Sequence, residues 1–155
     1  MKKVMFIGTT GGHINELLQL EPMFKDYNYS LVTEKDEFTK SLKSKFRNIY
    51  YLKYAKQKPF LVYIFWLFIN CWISLFIYLR VRPRYIICTG AHASGPMCCI
   101  GKIFGSKIIF IESFANSHSK TKTGKIIYHF ADLFIVQWES MLKLYPKAVY
   151  GGWIF

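Results

Sequence analysis

Between residues 38 and 111 the chain carries no acidic residue, against twelve Lys and Arg, whereas the remainder holds nine of each sign. That imbalance excludes an evenly mixed surface and marks one basic face inside a total net charge of +12. No C-x-x-C spacing occurs among Cys71, Cys88, Cys98 and Cys99, and none stands at metal-ligand spacing from a histidine. A zinc site and a dithiol redox motif are thereby excluded, and neither a metal nor a cofactor is expected. Cys71 in a long apolar run and Cys88 in an expected strand read as small buried hydrophobes. The apolar stretch 4–7 behind Met1-Lys2-Lys3 is too short for a secretory signal and runs into glycines. Free cysteines without an export signal point to a reducing, cytosolic compartment. Internal repeats and low-complexity linkers are missing too. Disorder is excluded by a 52% hydrophobic content with 14 Phe, 11 Tyr and 4 Trp.

What is present is one domain's worth of chain, 155 residues, in which short β-branched or aromatic runs alternate with helical patterns. Strands are expected at 3–7, 29–33, 48–52, 85–89, 107–112 and 133–137, with a short seventh at 148–150. Helices are expected from Ile14 to about Asp26, after a cap at Asp36, from Pro96 to a stop at Gly105, and over 126–131. Strands alternating with helices imply parallel pairing and right-handed crossovers, hence a doubly wound, Rossmann-like α/β sheet.

Residues 60–79 hold eighteen apolar side chains and no charge, long enough at 1.5 Å per residue to cross a bilayer. They stand between the third and fourth strands of one sheet, which a spanning helix would put on opposite sides. At 100° per residue Leu61, Phe65, Phe68, Trp72, Phe76 and Leu79 share one face, and Tyr63, Asn70, Ser74 and Tyr78 the other. Lys53, Lys56 and Lys58 precede the run; Arg80, Arg82 and Arg84 follow it. Cations at both ends favour a helix of about 59–81 lying on an anionic leaflet, ahead of a helix in a large core or dimer interface, and ahead of spanning. This makes the protein peripheral or monotopic at the cytoplasmic face of the membrane.

Two glycine turns follow strands. Gly8-Thr9-Thr10-Gly11-Gly12-His13 follows the first, where backbone N–H groups and a helix start suit a diphosphate. It is neither G-x-G-x-x-G nor a P-loop. Thr89-Gly90-Ala91-His92-Ala93-Ser94-Gly95-Pro96 follows the fourth, and ligands of open α/β sheets bind at that edge. Gly11, Gly12, His13, Ser94, Gly95 and Ser113 are the candidate acceptor and diphosphate contacts. His13, as base or phosphate donor, and Glu112, as base or hydroxyl orienter, are the candidate catalytic groups, with capping and charge neutralisation as the alternatives. His118 in the loop 116–123 reads as solvated, and His129, between aromatics, as packed.

Gly11-Gly12-His13 and Ser94-Gly95-Pro96 resemble the acceptor half of the peptidoglycan transferase MurG. Ile111-Glu112-Ser113-Phe114-Ala115, Gly124-Lys125, Tyr128, Ala131-Asp132, Val136-Gln137-Trp138, Tyr145-Pro146 and Tyr150-Gly151 are similar to the asparagine-linked glycosylation protein 14 family and its bacterial capsule and exopolysaccharide (PssD-type) relatives. The resemblance implies one half of a GT-B glycosyltransferase over residues 1–155. Such a half anchors the enzyme and presents a polyprenyl-diphosphate-linked saccharide, while a separate donor-binding subunit holds the UDP-sugar and docks on the C-terminus. It also implies that residues 60–79 do the anchoring, since the membrane helix that eukaryotic members carry before the first strand is not found here. The tail of about 150–155, with Tyr150, Trp153, Ile154 and Phe155, is the expected docking segment, and it departs from the family in lacking Gly-Arg after the last tyrosine. Apolar tails of this kind call for a partner surface.

Two rivals remain. A self-sufficient Rossmann-like nucleotide-binding enzyme would use an acid after the second strand to hold a ribose, and Glu34 stands there. A nucleic-acid binder is disfavoured, because the aromatics crowd into one uncharged helix instead of alternating with the cations.

Overall fold

The computed structural model describes residues 1–54 and 59–154; Lys56, Lys58 and Phe155 lie outside them. Seven strands, β1 (Lys3–Gly8), β2 (Asn28–Glu34), β3 (Ile49–Leu52), β4 (Tyr85–Thr89), β5 (Lys107–Ile111), β6 (Leu133–Val136) and β7 (Val149–Tyr150), form one sheet in the order β3-β2-β1-β4-β5-β6-β7. Every pairing is parallel. The chain works outward from β1 to β3, then returns to lay β4 on the other side of β1. That reversal opens a crevice at the C-terminal ends of β1 and β4, where open α/β sheets take their ligands.

Alternation along the strands splits the core into two layers. Val4, Phe6, Leu31 and Ile87 face α1 (Gly12–Leu18), α2 (Glu37–Lys45) and a 3₁₀ turn at Glu21–Asp26. Met5, Ile7, Ile86, Ile108 and Phe110 face α3 (Phe60–Val81) and α4 (Ser94–Ile103), with Ile127 of α5 (Lys122–Ile127) closing the same cluster. Asp36 caps α2 as expected, in a reciprocal box with Thr39. Three helix boundaries differ from the sequence pattern. The first helix ends at Leu18, since Pro22 in the following segment supports a 3₁₀ turn instead. α4 starts at Ser94, two residues before the proline that signals its first turn. α5 starts at Lys122, because the Thr121 hydroxyl accepts from Gly124 N and caps it there.

α3 is built into the covering layer. Asn70, fully buried, clamps β3's exit through both backbone groups of Lys53, its amide donating to the carbonyl and its carbonyl accepting from the N–H, each at 2.8 Å. Ser74, Ile77, Tyr78 and Val81 are buried beside it, and the Tyr78 hydroxyl reaches Ser106 at 2.9 Å. The opposite face holds the six expected residues, Leu61, Phe65, Phe68, Trp72, Phe76 and Leu79, all between 46% and 79% exposed. Only 22% of the helix's apolar window is buried. α3 docks through its C-terminal half, from Asn70 to Val81, whereas none of the side chains 61–69 is buried, so the outer stripe has no cover among the described residues.

Candidate functional site

The two glycine turns meet at the crevice. A Cβ on Gly90 would lie 3.1 Å from Thr9 N, so the approach of the second turn to the first requires glycine. The Thr89 hydroxyl donates to the His13 carbonyl at 3.0 Å, fixing the start of α1 against β4. Gly11 and Gly12 are exposed at the rim. Ser94 is fully buried, and its hydroxyl donates back to the Ala91 carbonyl, so it braces the second turn from inside.

His13 is one-quarter exposed, and its Nδ1 lies 3.6 Å from Glu16 Oε2. The other oxygen of Glu16 accepts from the Ser113 hydroxyl at 2.9 Å and from Phe114 N at 3.1 Å. Glu16 therefore ties α1 to the loop after β5 and sets a carboxylate against the imidazole, leaving Nε2 as the nitrogen directed away from it. Glu16 escapes a reading from sequence because its partners lie 97 and 98 positions away. His92 is the second residue that sequence reasoning left out. It holds a left-handed backbone, φ 50°, rare for a residue with a side chain. Its N–H donates to the Thr123 hydroxyl at 2.9 Å, and its ring meets Tyr63 edge-on at 6.0 Å. Burial, then Lys122 and His13 beside it, push the imidazole below its ordinary value. The His92 ring thus lies on the Tyr63 and Thr123 side of its turn, near enough to His13 for their charges to interact.

Glu112 sits inside the wall, 1% exposed. Its carboxylate accepts from the Thr121 hydroxyl at 3.0 and 3.1 Å, the Tyr145 hydroxyl at 2.9 Å and Ser113 N at 3.2 Å. Burial pushes its carboxyl above the usual carboxylate range, opposed by those donors. The group joins β5, the cap of α5 and the segment around Tyr145. Glu112→Ala strands the buried Tyr145 hydroxyl and the half-buried Thr121 hydroxyl and is expected to cost about 2–4 kcal/mol in urea unfolding. Gly124 covers the same group: its Cβ would fall 2.4 Å from Glu112 Oε2 and 2.8 Å from the Tyr145 hydroxyl. Gly124→Ala should accordingly lower stability by about 1–3 kcal/mol. A stability unchanged in both variants would contradict the clamp.

Other expected residues are more dispersed. His118 is exposed and hydrogen-bonded to Ser117. His129 is exposed, with its ring edge-on to Tyr128 at 6.1 Å, so it packs on that aromatic from the surface and not within the core. Cys88 and Cys98 are buried, whereas Cys71 and Cys99 are half-buried on helix flanks, which corrects the expectation for Cys71. At the C-terminus Trp153 is 71% exposed and packs edge-on against Phe114 at 5.6 Å and near Trp138 at 6.0 Å. Ile154 departs from an open tail: its N–H donates to Gln137 Oε1, and its side chain packs on the sheet's core layer, with Ile135 beside it across Gly151. A cavity of about 550 Å³ separates Trp138, Tyr150 and Trp153 from His118. Among the described residues no cluster of His, Cys, Asp and Glu could hold a metal.

A parallel sheet reversing at β1/β4, with glycine turns over the reversal, defines a Rossmann-like domain of the kind that forms one half of a GT-B glycosyltransferase. Acinetobacter baumannii MurG superposes with a TM-score of 0.74 at 15% identity, covering 90% of this chain and 43% of that one. UDP-N-acetylglucosamine 2-epimerase from Rickettsia bellii gives 0.72 at 18%, covering 94% and 41%. The chain thus spans less than half of these solved structures and shares their fold. By sequence it belongs to the family "Oligosaccharide biosynthesis protein Alg14 like", matched over residues 3–154. The mouse "UDP-N-acetylglucosamine transferase subunit ALG14" is 27% identical over 97% of this chain and 82% of its own length. Its Schizosaccharomyces pombe counterpart is 31% identical over 96% and 81%.

Proposed function

We propose that this chain is the membrane-attached, acceptor-presenting subunit of a two-component glycosyltransferase. In that reading a UDP-sugar held by a second subunit gives its sugar to a polyprenyl-diphosphate-linked saccharide held here, on the cytoplasmic face of the membrane. The observation that carries it is the union, in one domain, of a His13–Glu16 crevice and an uncovered apolar helix face. The relatives' names, which speak of a UDP-N-acetylglucosamine transferase subunit, support the sugar class and the division of labour. N-Acetylglucosamine is therefore the sugar to try first. The finer assignment to capsular or exopolysaccharide synthesis rests on motif likeness alone.

The chemistry follows from the crevice. Gly11, Gly12 and Gly95 let an acceptor diphosphate approach the backbone, while Ser94 and Ser113 hold the turns that do so. His13 takes the proton of the attacking acceptor hydroxyl as the bond to the anomeric carbon forms and UDP leaves with its bonding electrons. The Glu16 carboxylate, 3.6 Å from Nδ1, stabilises the imidazolium that forms, and Glu112 holds the wall of the site through Thr121 and Tyr145. With its donor-binding partner supplied, His13→Ala should lower transfer by about 10²–10⁴-fold, the usual contribution of a general base. Vesicle attachment and partner capture should not change. Glu16→Gln should lower kcat with the acceptor KM unaffected. The structure already removes the capping alternative, since Gly11 is the N-cap of α1 and no side chain bonds it, so a loss under about threefold in His13→Ala would leave that residue no part in the chemistry.

The rival reading, a self-sufficient nucleotide-binding enzyme, needs an acid available to a ribose. Glu34 is 5% exposed, with its Oε2 turned onto Thr10 N and Oγ1 at 3.3 and 3.2 Å, which disfavours that use.

A further inference from the structure

An apolar groove of about 530 Å³ runs over the outer face of α4, within the range of small-molecule sites. Its floor is Pro96, Cys99, Ile100 and Ile103; Leu67 and Cys71 of α3 form one wall and Ile126 of α5 the other. The two ends differ. At the start of α4 the lining turns to His92, Gly95, Thr123 and Lys122, beside the crevice of the two glycine turns. At the far end, roughly 15 Å along a ten-residue helix, Ile103 is 80% exposed. The α3 wall is also the edge of the exposed stripe: Leu67 and Cys71 each stand one residue from Phe68 and Trp72. The groove is therefore open to whatever the stripe is immersed in, and it leads from there to Lys122, the one lysine or arginine among the described residues of its lining.

We propose that this groove binds the first isoprene units of the lipid-linked acceptor, drawing the chain out of the membrane along α4 so that its diphosphate meets the glycine crevice. The assignment rests on the acceptor-presenting reading above and names the subsite which that reading lacks. An amphipath with one anionic end and one apolar chain matches a groove with one cation, Lys122, at its inner end and branched aliphatic side chains along the rest. A bilayer phospholipid fits less well, because it brings two acyl chains to a single groove.

Cys71 and Cys99 line the groove and are partly exposed, whereas Cys88 and Cys98 are buried and serve as internal controls. Maleimide labelling of the full chain in buffer, resolved by peptide mass, reads occupancy directly. Geranylgeranyl diphosphate should slow labelling of Cys71 and Cys99 about tenfold at ten times its dissociation constant. Inorganic diphosphate and short-chain diacyl phosphatidic acid should not. Gly95→Leu and Cys99→Trp, which fill the head end and the floor, should abolish the protection at Cys71 with an unchanged circular dichroism spectrum. Room exists for the first, since a Cβ on Gly95 meets nothing closer than Thr123 Cγ2 at 3.9 Å. Equal protection by phosphatidic acid, absence of protection, or protection that survives both filled variants overturns the proposal. Vesicle sedimentation of the same protein reads the membrane attachment separately, so loss of the groove and loss of the acceptor-presenting reading are told apart.

Discussion

Replacing Phe65, Phe68, Trp72 and Phe76 together with Ser should move the protein from the vesicle pellet to the supernatant while its fold persists. These four side chains are 58%, 61%, 62% and 68% exposed, so the sheet gains little from them. In an acyl phase each contributes on the order of 2 kcal/mol of apolar transfer, which makes the four together the dominant part of attachment. Arg80 and Arg82, both exposed, add about 1 kcal/mol apiece only where the leaflet is anionic. Wild-type protein should therefore bind phosphatidylglycerol vesicles more tightly than neutral ones. A variant that still pellets shows that the stripe anchors nothing. One that unfolds shows that the stripe is core after all, against its exposure.

The second large effect is expected at the C-terminus. Trp153 stands out on Phe114 and Trp138, with Tyr150 42% exposed at the edge of the same cavity. Aromatic anchors of this kind carry about 2 kcal/mol or more each in an interface. Trp153→Ala with Tyr150→Ala should then weaken capture of the donor-binding subunit roughly 10³-fold, and transfer should fall with it. The double substitution is a cleaner test than deleting 153–155, because Ile154 also covers Ile135 and bonds Gln137, and its loss would open the sheet. Unfolding midpoint and vesicle binding should stay at wild-type values. Wild-type capture by the double variant would remove the tail from the interface.

The sheet was legible because its strands are short β-branched runs set between helical patterns, an alternation that implies parallel pairing, whereas the order of the strands came from the structure. The outer stripe of α3 was legible for the same reason: with 100° between residues, Asn70 and Ser74 fall on the side that an apolar helix must turn inward. What stayed hidden depends on distant partners. Glu16 looks like any solvated residue on an amphipathic helix until Ser113 and Phe114 arrive at its carboxylate from 97 and 98 positions away. Glu112 reads as an edge carboxylate, yet Thr121 and Tyr145 close over it. The start of α5 was obscured by Gly124, a poor helix former placed there because no Cβ fits above Glu112. His92 carries no local signal for its left-handed backbone, and its partners Thr123 and Tyr63 are distant in sequence.

The central claim is that this domain supplies one wall of a glycosyltransferase cleft and a second polypeptide the other. Calorimetric titration of the purified chain with UDP-sugars, alone and then with the donor-binding subunit, tests it most directly. The account predicts no heat of binding and no turnover from the chain alone, and both on addition of the partner. Micromolar binding of a UDP-sugar by the chain alone, or transfer without a second protein, would contradict it and restore the self-sufficient nucleotide-binding enzyme.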